Sequence, residues 1–196
     1  MFDYFSLVAL FVTGMIGIAS LFNRGRYFLK RYSRLIFLAA IVIIFSLGSY
    51  YGFRQYTAWL SDPLGKFLLP PYQDIGYFAF YSLTRFFAPY LVSFVFALLI
   101  LWVAVAFNKK SDGIFFEKEE PYLAAISLFL VGHPGWLIYL IALILIYFIL
   151  HTSYFILQRR TVRLPLYHLW VPTAFFVILI NEYWFSGTHW WQLLSF

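Results

Sequence analysis

Apolar residues fill long unbroken runs along this chain, and polar or basic residues gather between them. About 20 apolar residues in helical form cross about 30 Å of hydrocarbon. The runs at 5–22, 35–53, 76–107, 136–157 and 165–185 therefore predict membrane-spanning helices. The stretch "RQYTAWLSDPLGKFLLPPYQD" separates the second from the third, and its Pro70-Pro71 pair cannot continue a helix. The run at 76–107 is too long for one simple span. Arg85 and Pro89 predict an interfacial first part that kinks into a span from about residue 89. One further apolar segment, 121–131, is short: at 1.5 Å per residue it reaches only about half a bilayer. It reads as a short fourth helix, or as a re-entrant half-helix turned by His133-Pro134-Gly135. Either way it faces protein interior, because irregular backbone at that depth needs protein or water around it. The expected fold is a single-domain, all-α polytopic transmembrane bundle of about six segments.

Composition sharpens this into a class. The 196 residues are 63% hydrophobic and only 11% charged, against about 25% charged in an ordinary soluble domain. A folded chain of this size cannot hide so much apolar surface from water, so the bilayer must solvate it. Cysteine is absent, which excludes disulfides, thiolate metal sites and a thiol nucleophile. The net charge of +6 sits in blocks beside apolar runs. That placement fits anionic lipid headgroups as counter-charge rather than nucleic acid. Eleven of the 14 basic residues fall in 23–34, 108–120 and 158–164, which read as cytoplasmic loops. Asp3, Asp62, Asp74 and Glu182 mark the opposite face, so both termini are expected outside. The basic block follows the first apolar stretch, which is the order of a retained anchor in a cell or inner membrane.

Candidate chemistry centres on "FEKEEPYLAAISLFLVGHPG", residues 116–135. Glu117, Glu119 and Glu120 form an acidic entry to the short helix. Glu119 and Glu120 are the candidate catalytic carboxyls, since low dielectric raises a carboxyl pKa toward general acid–base use. The plainer reading makes them helix-start acids, with Pro121 in the first turn and Lys109, Lys110 and Lys118 balancing the charge. His133, His151 and His168 are polar groups beside or within apolar runs. A relay between His151 and His168 is one reading, and satisfaction by interfacial water the other. Arg85 and Glu182 could pair near the outer face. Ala9, Thr13 and Gly17 form a small-residue stripe that admits another helix closely, from this chain or from a membrane partner. The clusters "GSYYGF" and "EYWFSGTHWWQLLSF" read as interfacial aromatic belts. No phosphate loop, H-E-x-x-H or G-x-S-x-G motif is present, and no metal or cofactor is expected.

From residue 117 to about 180 the chain resembles the C-terminal half of prepilin peptidases, which are membrane aspartyl proteases. The resemblance lies in "EPYLAAISLFLVGHPGW" and "RRTVRLPLYHLWVPTAFF": the "LAA" triplet, Ser127, Gly132, and Arg163 with Pro165. It implies a cytoplasmic site at the acidic loop. Aligned on "LAA", Glu119 takes the place of a catalytic Asp, Phe116 and Lys118 replace glycines, and Pro121 replaces a lysine. The family's other catalytic Asp lies in an earlier cytoplasmic segment, where this chain has no acid. An aspartyl protease needs two carboxyls sharing a proton, so the resemblance implies a relative without catalysis. The leading expectation is a non-catalytic membrane scaffold or assembly partner. The alternatives are a peptidase acting through Glu119, and a small-solute or lipid transporter lined by the short helix.

Overall fold

The computed structural model describes residues 4–111, 116–158, 167–185 and 188. Asp3, Arg159, Arg160, Arg163, Pro165 and most of the C-terminal aromatic cluster lie outside the described residues. Every regular element among the described residues is helical.

Helices α1 (Tyr4–Leu21) and α2 (Asn23–Ser61) are separated by Phe22 alone. The Phe22 amide donates to the Ala19 carbonyl at 3.3 Å, and the Arg26 amide to that of Phe22 at 2.9 Å. So tight a corner needs Gly25: a Cβ there would run into the Ala19 carbonyl. The basic block 23–34 differs from its expected form. It is not a loop but the opening of a 39-residue helix, with Leu29 and Ser33 buried on its inner face. Arg, Lys and Leu are good helix formers, and the long cationic side chains reach water without breaking the helix. Near the other end of α2, Asp62 accepts from the Gly65 amide at 2.6 Å, which sets the 3₁₀ turn Gly65–Leu68.

Asp74 caps α3 (Ile75–Ser82) by accepting from the Gly76 amide. A π-helical turn, Leu83–Phe87, joins it to α4 (Ala88–Lys110), and the Ala88 amide reaches five residues back to the Leu83 carbonyl. Pro89 sits in the first turn of α4. The expected break therefore takes the form of a single wide turn, and residues 75–110 run as one apolar helical unit. After α5 (Glu120–Val131) come α6 (Gly135–Gln158) and α7 (Tyr167–Ile180), which ends in a second π-helical turn, Asn181–Phe185. Among the described residues, four helical stretches are long and apolar enough to cross a membrane: Tyr4–Leu21, Asn23–Ser61, Ile75–Lys110 and Gly135–Ser153.

The short helix α5 is the hub. It packs against α1, α2, α4, α6 and α7, and every side chain from Leu123 to Val131 is buried. A helix apolar on all faces is stable only when it is enclosed. Phe129, fully buried, meets Phe37 and Phe45 of α2 at ring-centroid distances of 6.4 and 6.2 Å, and Tyr90 and Phe94 of α4 at 6.0 and 5.9 Å. The helix ends at Gly132, whose φ of 72° and ψ of 171° belong to a region essentially reserved for glycine. The turn that follows is tied to α4, since the His133 amide donates to the Pro89 carbonyl at 3.1 Å.

Two substitutions test this hub in detergent melts. Phe129→Ala should cost about 3–5 kcal/mol, the usual effect of emptying an aromatic core position. Gly132→Ala should cost about 1–3 kcal/mol through backbone strain. Phe176→Ala, at an exposed position of α7, should stay within about 0.5 kcal/mol of wild type. Equal losses at all three positions would remove α5 from the centre of the fold.

Candidate functional site

Local hydrogen bonds build the acidic entry to α5. The Asn108 side chain grips Phe116 twice: its Nδ2 donates to the Phe116 carbonyl at 2.9 Å, and its Oδ1 accepts from the Phe116 amide at 3.0 Å. Glu120 turns its carboxylate back onto the Glu117 amide at 3.0 Å, in the manner of the acidic half of a capping box. That use of Glu120 is structural, and its side chain is buried. Pro121 fits the first helical turn, as expected. The acids therefore start the helix, but they are not a solvated loop: Glu119 is 3% exposed and Glu120 2%, while the side chain of Glu117 is 57% exposed.

The cation facing them comes from α2. Lys30 Nζ lies 3.7 Å from Glu117 and 3.9 Å from Glu119. The lysines expected to balance this charge, Lys109, Lys110 and Lys118, are not the ion-pair partners recorded among the described residues. Arg26, one turn earlier on α2, donates through Nε to the Ser20 carbonyl at 2.9 Å. Its Nη2 lies 3.2 Å from His168 Nε2, and its guanidinium sits over the Tyr167 ring at 5.9 Å. The start of α2, the entry to α5 and the start of α7 thus meet at one end of the bundle.

They enclose a cavity of about 280 Å³. Arg26, Tyr27, Lys30, Glu117 and His168 form its exposed rim, and buried Glu119 and Tyr167 form its floor. Both floor residues carry a polar atom with no hydrogen-bond partner, Oε2 of Glu119 and the hydroxyl of Tyr167. Burial raises the proton affinity of Glu119 above the usual carboxylate range. Neighbouring Glu117 adds to the rise, whereas a backbone hydrogen bond and Lys30 oppose it. Desolvation outweighs them because the Glu119 side chain is buried.

The other candidates are dispersed. His133 accepts from Trp136 Nε1 at 3.1 Å in the turn after α5. His151 lies against Tyr147 of its own helix, with ring centroids 5.9 Å apart. His168 belongs to the cavity rim, so His151 and His168 have separate partners. No group of three metal-ligating side chains occurs among the described residues. Arg163 lies outside them. Glu182 accepts from Ser6 of α1 at 3.0 Å, and Arg85 is exposed. Ala9 and Thr13 are buried, while a Cβ at Gly17 would meet Val171 of α7 at 3.9 Å. Ala9 and Thr13 of the small-residue stripe are therefore enclosed by this chain's own helices. At the opposite end, Tyr50 and Tyr51 of the "GSYYGF" cluster line an open cavity of about 780 Å³ together with Tyr4 and Arg54. Arg26, Lys30 and Tyr167 were missed as site residues, because only tertiary packing brings them to Glu119.

The raised proton affinity of Glu119 has a signed consequence. A carboxyl that binds its proton more tightly in the folded state stabilises the fold fully below its unfolded pKa. That contribution is lost as pH rises through the folded value. The melting temperature of the wild type should therefore fall relative to Glu119→Gln as pH rises from 4.5 toward neutrality, and parallel melting curves would refute the buried carboxyl. No family model, no curated protein and no solved structure matches this chain.

Proposed function

We propose that this chain is an integral membrane protein that docks a partner at the charged end of its bundle and lacks the carboxyl pair of an aspartyl protease. One observation carries this reading. The group that the earlier segment offers to Glu119 is Lys30, 3.9 Å away, where a proteolytic dyad needs a second carboxyl. Glu120 Oε2 accepts from the Glu117 amide instead. Under the resemblance to prepilin peptidases, an ion pair stands where that family would need its second carboxyl. A scaffold or assembly partner in an envelope machine, such as a pilus or secretion apparatus, fits that combination.

The charged end faces the cytoplasm in this reading. Arg24, Arg26, Lys30, Arg31 and Arg34 sit on the same end of the bundle as the acidic entry to α5, and cations favour the cytoplasmic side. Six crossings with both termini outside follow if α5 and α7 each cross. The close packing of Leu123–Val131 favours a structural role for the short helix over a solute path.

A second reading keeps an observation of its own. Glu117 lies close enough to Glu119 to raise its proton affinity, so the two could share a proton as a peptidase pair. Under that reading the purified chain cleaves a prepilin substrate and Glu119→Gln abolishes turnover.

Two measurements test the docking reading. The absence of cysteine allows single-cysteine variants, and a membrane-impermeant maleimide applied from outside should label Gln73→Cys but not Lys118→Cys. Mild-detergent purification should then recover a stoichiometric protein partner, which Arg31→Glu and Lys118→Glu together release without lowering the melting temperature. Labelling of residue 118 from outside, or prepilin cleavage by the pure chain, would overturn the proposal.

A further inference from the structure

We propose that the cavity at the charged end is a binding site for a phosphate group that carries a primary ammonium, as in the headgroup of phosphatidylethanolamine. The argument begins with the mixed signs of its lining. Arg26 and Lys30 on the rim exclude a simple cation, while Glu117 and Glu119 exclude a simple anion. A ligand with both charges satisfies both pairs. The volume of about 280 Å³ falls just below the roughly 300–1,000 Å³ of sites for drug-sized ligands, and so suits a small polar group.

The floor decides which end of the ligand enters first. Glu119 Oε2 is a buried acceptor without a donor, and an unsatisfied buried polar atom is costly. A primary ammonium brings N–H donors to it. A quaternary ammonium brings none, so choline leaves the acceptor unsatisfied. The Tyr167 hydroxyl, also buried and without a partner, both donates and accepts, and can serve the ammonium or a phosphate oxygen.

The rim completes the match. Arg26 has five N–H donors, of which one is given to the Ser20 carbonyl and another lies against His168. The remainder suit a phosphate oxygen, for which guanidinium is well shaped. The Lys30 side chain is 55% exposed, so it can swing to a phosphate as the ammonium replaces it beside Glu119. The exchange conserves charge on the floor: one ammonium leaves the carboxylate and another arrives.

This site is independent of whether the chain docks a protein, and the experiment keeps the two apart. The full-length protein in detergent is mixed with phosphatidylethanolamine, phosphatidylcholine, phosphatidylglycerol or soluble O-phosphoethanolamine, and retention is read by native mass spectrometry. Phosphatidylethanolamine should be retained at least about tenfold better than the other two lipids, as expected for one charge-assisted hydrogen bond. Glu119→Gln should erase the preference over phosphatidylcholine, and Arg26→Gln should weaken retention of phosphatidylethanolamine with Arg26→Lys restoring part of it. Tyr167→Phe, which removes only the floor hydroxyl, provides a second variant should Glu119→Gln fail to fold. Its retention of phosphatidylethanolamine should fall severalfold. Competition by O-phosphoethanolamine would identify the headgroup chemistry itself as the ligand, whereas its failure to compete would make the acyl chains part of recognition. Equal retention of all three lipids, or an unchanged preference in both floor variants, would overturn the site.

Discussion

The bundle depends on enclosing a helix too short to stand in lipid by its own length. Twelve residues give α5 about 18 Å, well under the hydrocarbon thickness. The backbone groups and carboxyls at its two ends are received by neighbouring parts of the chain. α4 supplies the Pro89 carbonyl at one end and the Asn108 side chain just before the other. The aromatic rings around Phe129 fill the space between. The buried acids and the glycine-ended turn follow from this one constraint.

The enclosure also gives Glu119 its character. Glu119 forms the floor of a cavity, with Glu117 at the exposed rim. Two acids only two residues apart thereby meet different dielectric surroundings, the arrangement that drives proton affinities apart. Glu120 is buried as deeply, but its hydrogen bond to the Glu117 amide commits it to the backbone.

Much of the fold was legible in the pattern of apolar runs, because hydrocarbon thickness fixes their length independently of the neighbours. The short helix and its need for interior surroundings were likewise readable from residues 121–131. What misled was charge in the block 23–34. Cations set which end of a helix stays near water, but they do not end a helix, and "NRGRYFLKRYSR" contains no proline. The site itself was half legible. The spacing of Glu117, Glu119, Glu120 and Pro121 announced a helix start, while burial depends on α2 and α7, which sequence spacing does not place. Lys30 was readable as a topology signal and unreadable as the partner of Glu119. The Gly48 and Gly52 pair inside "GSYYG" was taken with its tyrosines as part of a belt. It also lies against the π-helical join, where added Cβ atoms would meet Phe87 at 3.2 Å and Ser82 Oγ at 2.7 Å.

One consequence follows from the continuity of α2. Thirty-nine residues make a rod of about 58 Å, close to twice the hydrocarbon thickness. The rod carries Arg26 and Lys30 near one end and Trp59 near the other, where Trp59 stacks on Tyr77 and packs against Phe78 and Tyr81. No break in the helix lies between these ends. One unbroken element therefore joins the cation-bearing end of the bundle to the ring packing around Trp59, with no hinge between them.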